Sequence, residues 1–184
     1  MFDVIKPVFN ISQEFTNKIN RIEILLESIN IKNDVKKKNL LLKSKVRSIH
    51  SSLAIEANSL SINDVSNIIN DKLIIGDRKE IQEVKNANQL YENMSDYNYK
   101  SETDFLKAHV VLMKYFDDDN GWYRTHGEGV EKDGVIIYIA PDSFLVPSLM
   151  KSLFEYISES DLHPLILSSI FHYYFVYVHL VILR

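Results

Sequence analysis

The sequence predicts a mainly α fold, a helical bundle carrying one β-hairpin. Three observations predict it. Only five glycines and four prolines occur in 184 residues, too few turn formers for a sheet-rich chain. Apolar residues recur at helical spacing through most of the length. One segment alone changes period: in "VEKDGVIIYIAP", Asp133-Gly134 is a strong two-residue hairpin turn and Val135–Ile139 a β-branched run.

The helices follow in order. Residues 11–30 place Phe15, Ile19, Ile22, Leu25, Leu26 and Ile29 on one face. The lysine-rich "KNDVKKKNLLLKSKVR" reads as the solvated side of a helix whose other side is Leu40–Leu42, rather than as a nucleic-acid patch. That helix continues through Val46, Ile49 and Leu53 and stops near "EANSLS". Ser61 and Asp64 form a helix-start signal ahead of Val65, Ile68 and Ile69. After the turn "DKLIIGD", a long helix carries Ile81, Val84, Ala87, Leu90 and Tyr91. Ser101 and Asp104 repeat the start signal for a helix with Phe105, Ala108, Leu112, Met113 and Phe116, which "DDDNG" closes. Pro147 and Pro164 suit the first turns of the last two helices.

Bulk composition narrows the functional classes. The formal net charge is −4, so no global basic field draws the chain to nucleic acid. Cysteine is absent, which removes disulfides, thiolate metal sites and a Cys nucleophile. A reducing cytoplasm is the expected compartment. The N-terminal "MFDVIKPVFNISQEF" has acids and a proline where a signal peptide needs a basic start and an apolar core. No phosphate-loop, dinucleotide-fold or nucleophile-elbow glycine motif occurs. The histidines His163, His172 and His179, spaced by nine and seven, lack the spacing of a metal-ligand pair on a helix. Glu56, among Leu53, Ala54 and Ile55, is either an exposed helix-end charge or a charge aimed into a site.

The order of segments then carries a resemblance. "SSLAIEANSLSINDV", "KNANQLYENM", "KAHVVLMKYF" with "GWYR", the hairpin, "VPSLMKSLFEYI" and "HPLILSSIFHYYFVYVH" succeed one another as they do in Fic-domain (Fido) proteins, in the group with an N-terminal inhibitory helix. The resemblance implies a helical region over residues 1–99 that includes the inhibitory helix, and a Fic core with its flap hairpin over 100–184. It implies descent from self-inhibited protein adenylyltransferases, which move AMP from ATP, with Mg²⁺, onto a hydroxyl of a target protein. Ser52 and Glu56 match the ends of the inhibitory motif, with Ala57 where Gly is usual and Asn58 at the next position. On this resemblance Glu56 is an autoinhibitory acid that pairs with an active-site arginine. Lys132, Asp133, Gly134, Val135 and Ile136 resemble the flap that docks the target as an added strand, which needs an exposed edge. His179 matches the general base, and its ordinary pKa suits the role.

After that histidine the family continues with Pro-Phe, an acid and Gly-Asn-Gly-Arg, the loop that holds the triphosphate and Mg²⁺. Here the residues are Leu180-Val181-Ile182-Leu183-Arg184. The expectation is therefore a C-terminally truncated member, altered by a frame change or gene degeneration, that is inactive and does not hold ATP and Mg²⁺ productively, with no metal site of its own. Two other readings stand beside it. One is a non-catalytic protein-binding module built on the scaffold and flap. The other is a tail-anchored protein, since Leu165–Leu183 carries no formal charge over nineteen residues. His172, His179 and two serines inside that run favour a core helix, and with it a chain that engages neither membrane nor nucleic acid. Leu180–Leu183 either folds back onto the core or leaves a patch that favours homo-oligomers. The target protein stays unidentified.

Overall fold

The structure, a computed structural model, describes residues 9–28, 34–116 and 121–178. Seven helices and one hairpin follow in chain order: α1 (Gln13–Ser28), α2 (Asp34–Ile55), α3 (Ile62–Ile69), α4 (Arg78–Glu92), α5 (Glu102–Leu112), β1 (Gly129–Lys132), β2 (Val135–Ile139), α6 (Val146–Glu159) and α7 (Pro164–Val178). The mainly α bundle with one hairpin is what the sequence predicts.

Two apolar clusters hold it. One joins α2, α3 and α4 through Val46, Ile49, Val65, Ile68, Val84 and Ala87. The other joins α6 and α7 through Met150, Leu153, Phe154, Ile157, Ile166, Ile170 and Tyr174, with Ile19 of α1 packed in. Helix α5 serves both. Phe105 near its start lies 5.7 to 5.9 Å, centroid to centroid, from Phe154, Phe171 and Phe175, and Leu112 at its end packs on the first cluster.

The expected start signals act as caps. Ser61 and Asp64 exchange both bonds of a capping box. Ser101 accepts from the Asp104 N–H at 3.2 Å. Asp77 caps α4 through the N–H groups of Lys79 and Glu80. At the hairpin turn Asp133 and Gly134 have φ of 53° and 79°, the left-handed pair of a tight two-residue turn. A bulge between Val130 and Glu131 shifts the antiparallel register, so Gly129 faces Ile139 and Lys132 faces Val135. A Cβ on Gly129 would come 2.6 Å from the Tyr138 carbonyl oxygen, so only glycine fits there.

Three expectations are corrected. Leu40, Leu41 and Leu42 are exposed, because α2 meets α3 and α4 only through its later turns. On α1 Ile19 is buried while Phe15, Ile22, Leu25 and Leu26 are exposed, and Ile29 lies outside the described residues. Helix α5 ends at Leu112, before the expected Phe116. There Asn86 of α4 donates its side-chain amide to the carbonyls of Leu112 and Lys114 at 3.0 and 2.8 Å, drawing both out of a helical ladder; the closing "DDDNG" falls mostly outside the described residues. Helix α7 buries one face, Ile166, Leu167, Ile170, Tyr174 and Val178, and exposes Tyr173 and Val176 on the other. No helix among the described residues is long and apolar enough to cross a membrane.

Candidate functional site

A cleft of about 1530 Å³ opens between α2, α4, α5 and the segment that leads into the hairpin. Ser52 and Glu56, one helical turn apart at the end of α2, both line it. The opposite wall is Tyr123, Arg124 and His126, with Trp122 and Phe144 at the rim. The sequence-predicted pair thus faces a cavity.

The turn that carries Glu56 is tightly specified. Ala57 has φ 64°. The Ala57 N–H bonds to the Ala54 carbonyl and the Asn58 N–H to the Leu53 carbonyl, at 3.2 and 3.0 Å. This is the paired closure of a Schellman motif, with alanine where glycine is usual. Buried Asn58 donates to the Glu80 carbonyl and to the Glu83 carboxylate at 3.1 and 2.8 Å, and accepts from the Leu60 N–H. Glu80 in turn accepts from the N–H and hydroxyl of Ser59. The Glu56 carboxylate is exposed and makes no hydrogen bond or ion pair among the described residues.

The far wall is built around Arg124, which is buried and donates to the carbonyls of His126, Pro141 and Val178. Tyr123 donates to Glu102 at 2.6 Å. Burial, and then the bond to Glu102 and its charge, push that phenol well above the ordinary range. Buried His109 accepts at Nδ1 from the Gly121 N–H at 2.9 Å. His126 lies 2.8 Å from Glu128, which starts the foot of the hairpin.

Lys132, Asp133, Gly134, Val135 and Ile136 are all exposed and stand away from the cleft lining. Among the described residues β1 and β2 pair only with each other, so each leaves an outer edge of free backbone groups. His179 lies outside the described residues. It follows Val178, whose carbonyl is held by Arg124 of the cleft wall at 3.2 Å.

Exposed Trp122 and Phe144 give the cleft an aromatic edge. A Mg²⁺ ion normally takes one or two carboxylates plus substrate phosphates. The cleft's described carboxylates are Glu56 and Glu83, and Asn58 already engages Glu83. No group of three His, Cys, Asp or Glu among the described residues could hold a metal ion. The described residues of the cleft therefore do not by themselves form a Mg²⁺ site.

Sequence reasoning missed Arg124, Asn58 as an anchor, and Tyr138. The one available signal for Arg124 was an arginine set among "GWYR" aromatics, directly before a hairpin.

Comparison with known proteins adds the following. Residues 99–180 match the family model described as the Fic/DOC family. A solved Fic family protein from Desulfovibrio desulfuricans G20 is 34% identical, with a TM-score of 0.85 over 95% of this chain and 54% of that one. A Fic domain-containing signaling protein from Bacteroides thetaiotaomicron VPI-5482 is 17% identical and similar in fold, with a TM-score of 0.76 over 88% of this chain and 65% of that one. The chain thus spans about half and about two thirds of their lengths. No curated protein matches it.

Proposed function

Because this chain belongs to the Fic/DOC family, we propose that its cleft is a protein adenylyltransfer site held in check by Glu56, and that Leu180–Arg184, standing where the family has its phosphate loop, do not hold the triphosphate productively. One observation carries the reading: Ser52 and Glu56 share a cavity with the wall that Arg124 ties to Val178, the residue before His179. In this reading His179 takes the proton of a target hydroxyl as it attacks the α-phosphate of ATP. The hairpin edge holds the target segment as an added strand. Glu56, with its carboxylate unpartnered among the described residues, opposes productive seating of the triphosphate.

A general base alone contributes about 10²–10⁴-fold, and transfer depends more on positioning and neutralising the phosphates. Leu180–Arg184 provide neither the glycine turn nor the acid of that loop. The purified chain, incubated with α-labelled ATP, Mg²⁺ and cell lysate, is expected to label nothing beyond a His179→Ala control. Labelling that the control loses would overturn the inactive part of the proposal. With a family Gly-Asn-Gly-Arg loop grafted after His179, labelling is expected, and more of it with Glu56→Gly. Equal labelling of the two grafts would make Glu56 only a helix-end charge. The binding-module reading is favoured by the exposed apolar strand Val135, Ile136, Ile137 and Ile139, and grafts that bind a protein but never label it would support it.

A further inference from the structure

Arg124 sits at 6% exposure on the segment entering the hairpin. Its Nη1 donates to the His126 carbonyl at 2.7 Å, and its Nη2 to the carbonyls of Pro141 and, at 3.2 Å, Val178. His126 precedes β1, Pro141 follows β2, and Val178 ends α7 as described. One guanidinium therefore grips both feet of the hairpin and the last described turn of α7. A second tie runs beside it: the Tyr138 hydroxyl on β2 donates to the Tyr177 carbonyl, with the two rings 6.1 Å apart. Elsewhere the feet are stitched to each other, by the Ala140 N–H on the Glu128 carbonyl at 2.9 Å and the Ser143 hydroxyl on the Thr125 carbonyl at 3.0 Å.

The choice of residue has a physical reason. A buried cation is tolerated only when its donors are used. Arginine's planar fork of five N–H groups can serve three separated carbonyls at once, whereas lysine is a point charge.

We propose that Arg124 is a positioning residue that couples the flap to the end of α7. A strand docked on the hairpin is thereby held in a fixed relation to the turn that leads into His179. This rests on the reading of the hairpin and His179 given above. It requires that the hairpin feet and the last turn of α7 open together, and apart from the α2–α3–α4 cluster.

Amide exchange on the full chain tests this. Arg124→Lys is expected to speed exchange by about tenfold or more in both 127–140 and 174–178, with the amides of Ile68 and Val84 unchanged. Tyr138→Phe is expected to give a smaller rise in the same two segments. A rise in one segment alone, or an equal rise at Ile68 and Val84, would overturn the proposal. Should Arg124→Lys fail to fold, the unsubstituted chain decides. Separate, slowly exchanging Nη proton signals of Arg124 are expected by NMR, and one averaged signal sinks the idea. None of these readouts uses nucleotide, so failure of the coupling and failure of the adenylyltransfer reading appear in different experiments.

Discussion

The turn after α2 and the tip of the hairpin are held by opposite means. The turn, Glu56 to Leu60, is pinned to α4 by Asn58 and Glu80 through bonds that cross more than twenty residues of sequence. The hairpin tip is held by its own ladder, and every side chain from Glu131 to Ile137 is exposed. A segment that must hold one charge at one place needs partners outside itself. A segment that offers a backbone edge must keep that edge empty, so its anchors gather at its feet, on Arg124. The contrast implies that substitutions near Glu56 should register as global stability, and substitutions at the hairpin tip as almost nothing.

The largest expected effect sets Ile49 against Ile136. Ile49 is 1% exposed beneath Ser52, and Ile136 is 64% exposed on β2. Ile49→Ala should cost about 2–5 kcal/mol of unfolding free energy, as buried large-to-small changes do. Ile136→Ala should stay within about 0.5 kcal/mol. Urea denaturation of both variants reads the difference. A comparable loss at Ile136 would mean that something covers the hairpin face in solution.

Next comes Asn58→Ala. It leaves the Leu60 N–H and the Glu80 carbonyl without their side-chain partner, at an expected cost of about 1–3 kcal/mol. Amide exchange should rise from Glu56 to Leu60 before it rises in α3. A purely uniform rise would show that Asn58 stabilises the bundle without fixing the turn.

Tyr123→Phe should cost less, about 1 kcal/mol, since it removes one bond to a partly exposed Glu102. Its pH dependence has a definite sign. The folded phenol titrates above the unfolded one, so its contribution is complete below the unfolded phenol value near 10 and is lost as pH rises beyond it. The stability gap between the parent and Tyr123→Phe should therefore be flat through neutral pH and shrink in alkali. A gap that widens in alkali would contradict the half-buried, protonated phenol.

What was legible in the sequence was local. Ser61 with Asp64, Ser101 with Asp104, and Asp133 with Gly134 act through bonds spanning two or three residues, so spelling alone revealed them. The pairing of Ser52 with Glu56 came from the family resemblance, and a spacing of four then puts them one helical turn apart. The exposure of Leu40–Leu42 and the early end of α5 did not follow, because they depend on where α4 lies and on Asn86 reaching across to Leu112 and Lys114. Arg124 was hidden for the same reason: its described carbonyl acceptors are two, seventeen and fifty-four residues away. A pattern of apolar periodicity assigns faces but does not say which neighbour arrives to cover them.

The smallest expected effect isolates the backbone of the two turns. Ala57 and Asp133 both occupy the left-handed region, at φ 64° and 53°, yet the residues differ in how well they tolerate it. For alanine the Cβ crowds the following carbonyl, at about 1–2 kcal/mol. Aspartate visits this region more readily because its short polar side chain bonds locally. Replacing either by glycine relieves strain but frees the unfolded chain, at about 0.4–1 kcal/mol. Ala57→Gly should therefore stabilise the protein by roughly 0.5–1 kcal/mol, while Asp133→Gly should change it by only a few tenths. Both Schellman bonds of Ala57 and Asn58 are backbone bonds, so the substitution keeps them, and Glu56 stays where it is. Urea midpoints for the two variants give the answer directly. An Ala57→Gly midpoint below the parent would mean that the α2 end does not hold the left-handed turn in solution, and the fixed position of Glu56 would fall with it.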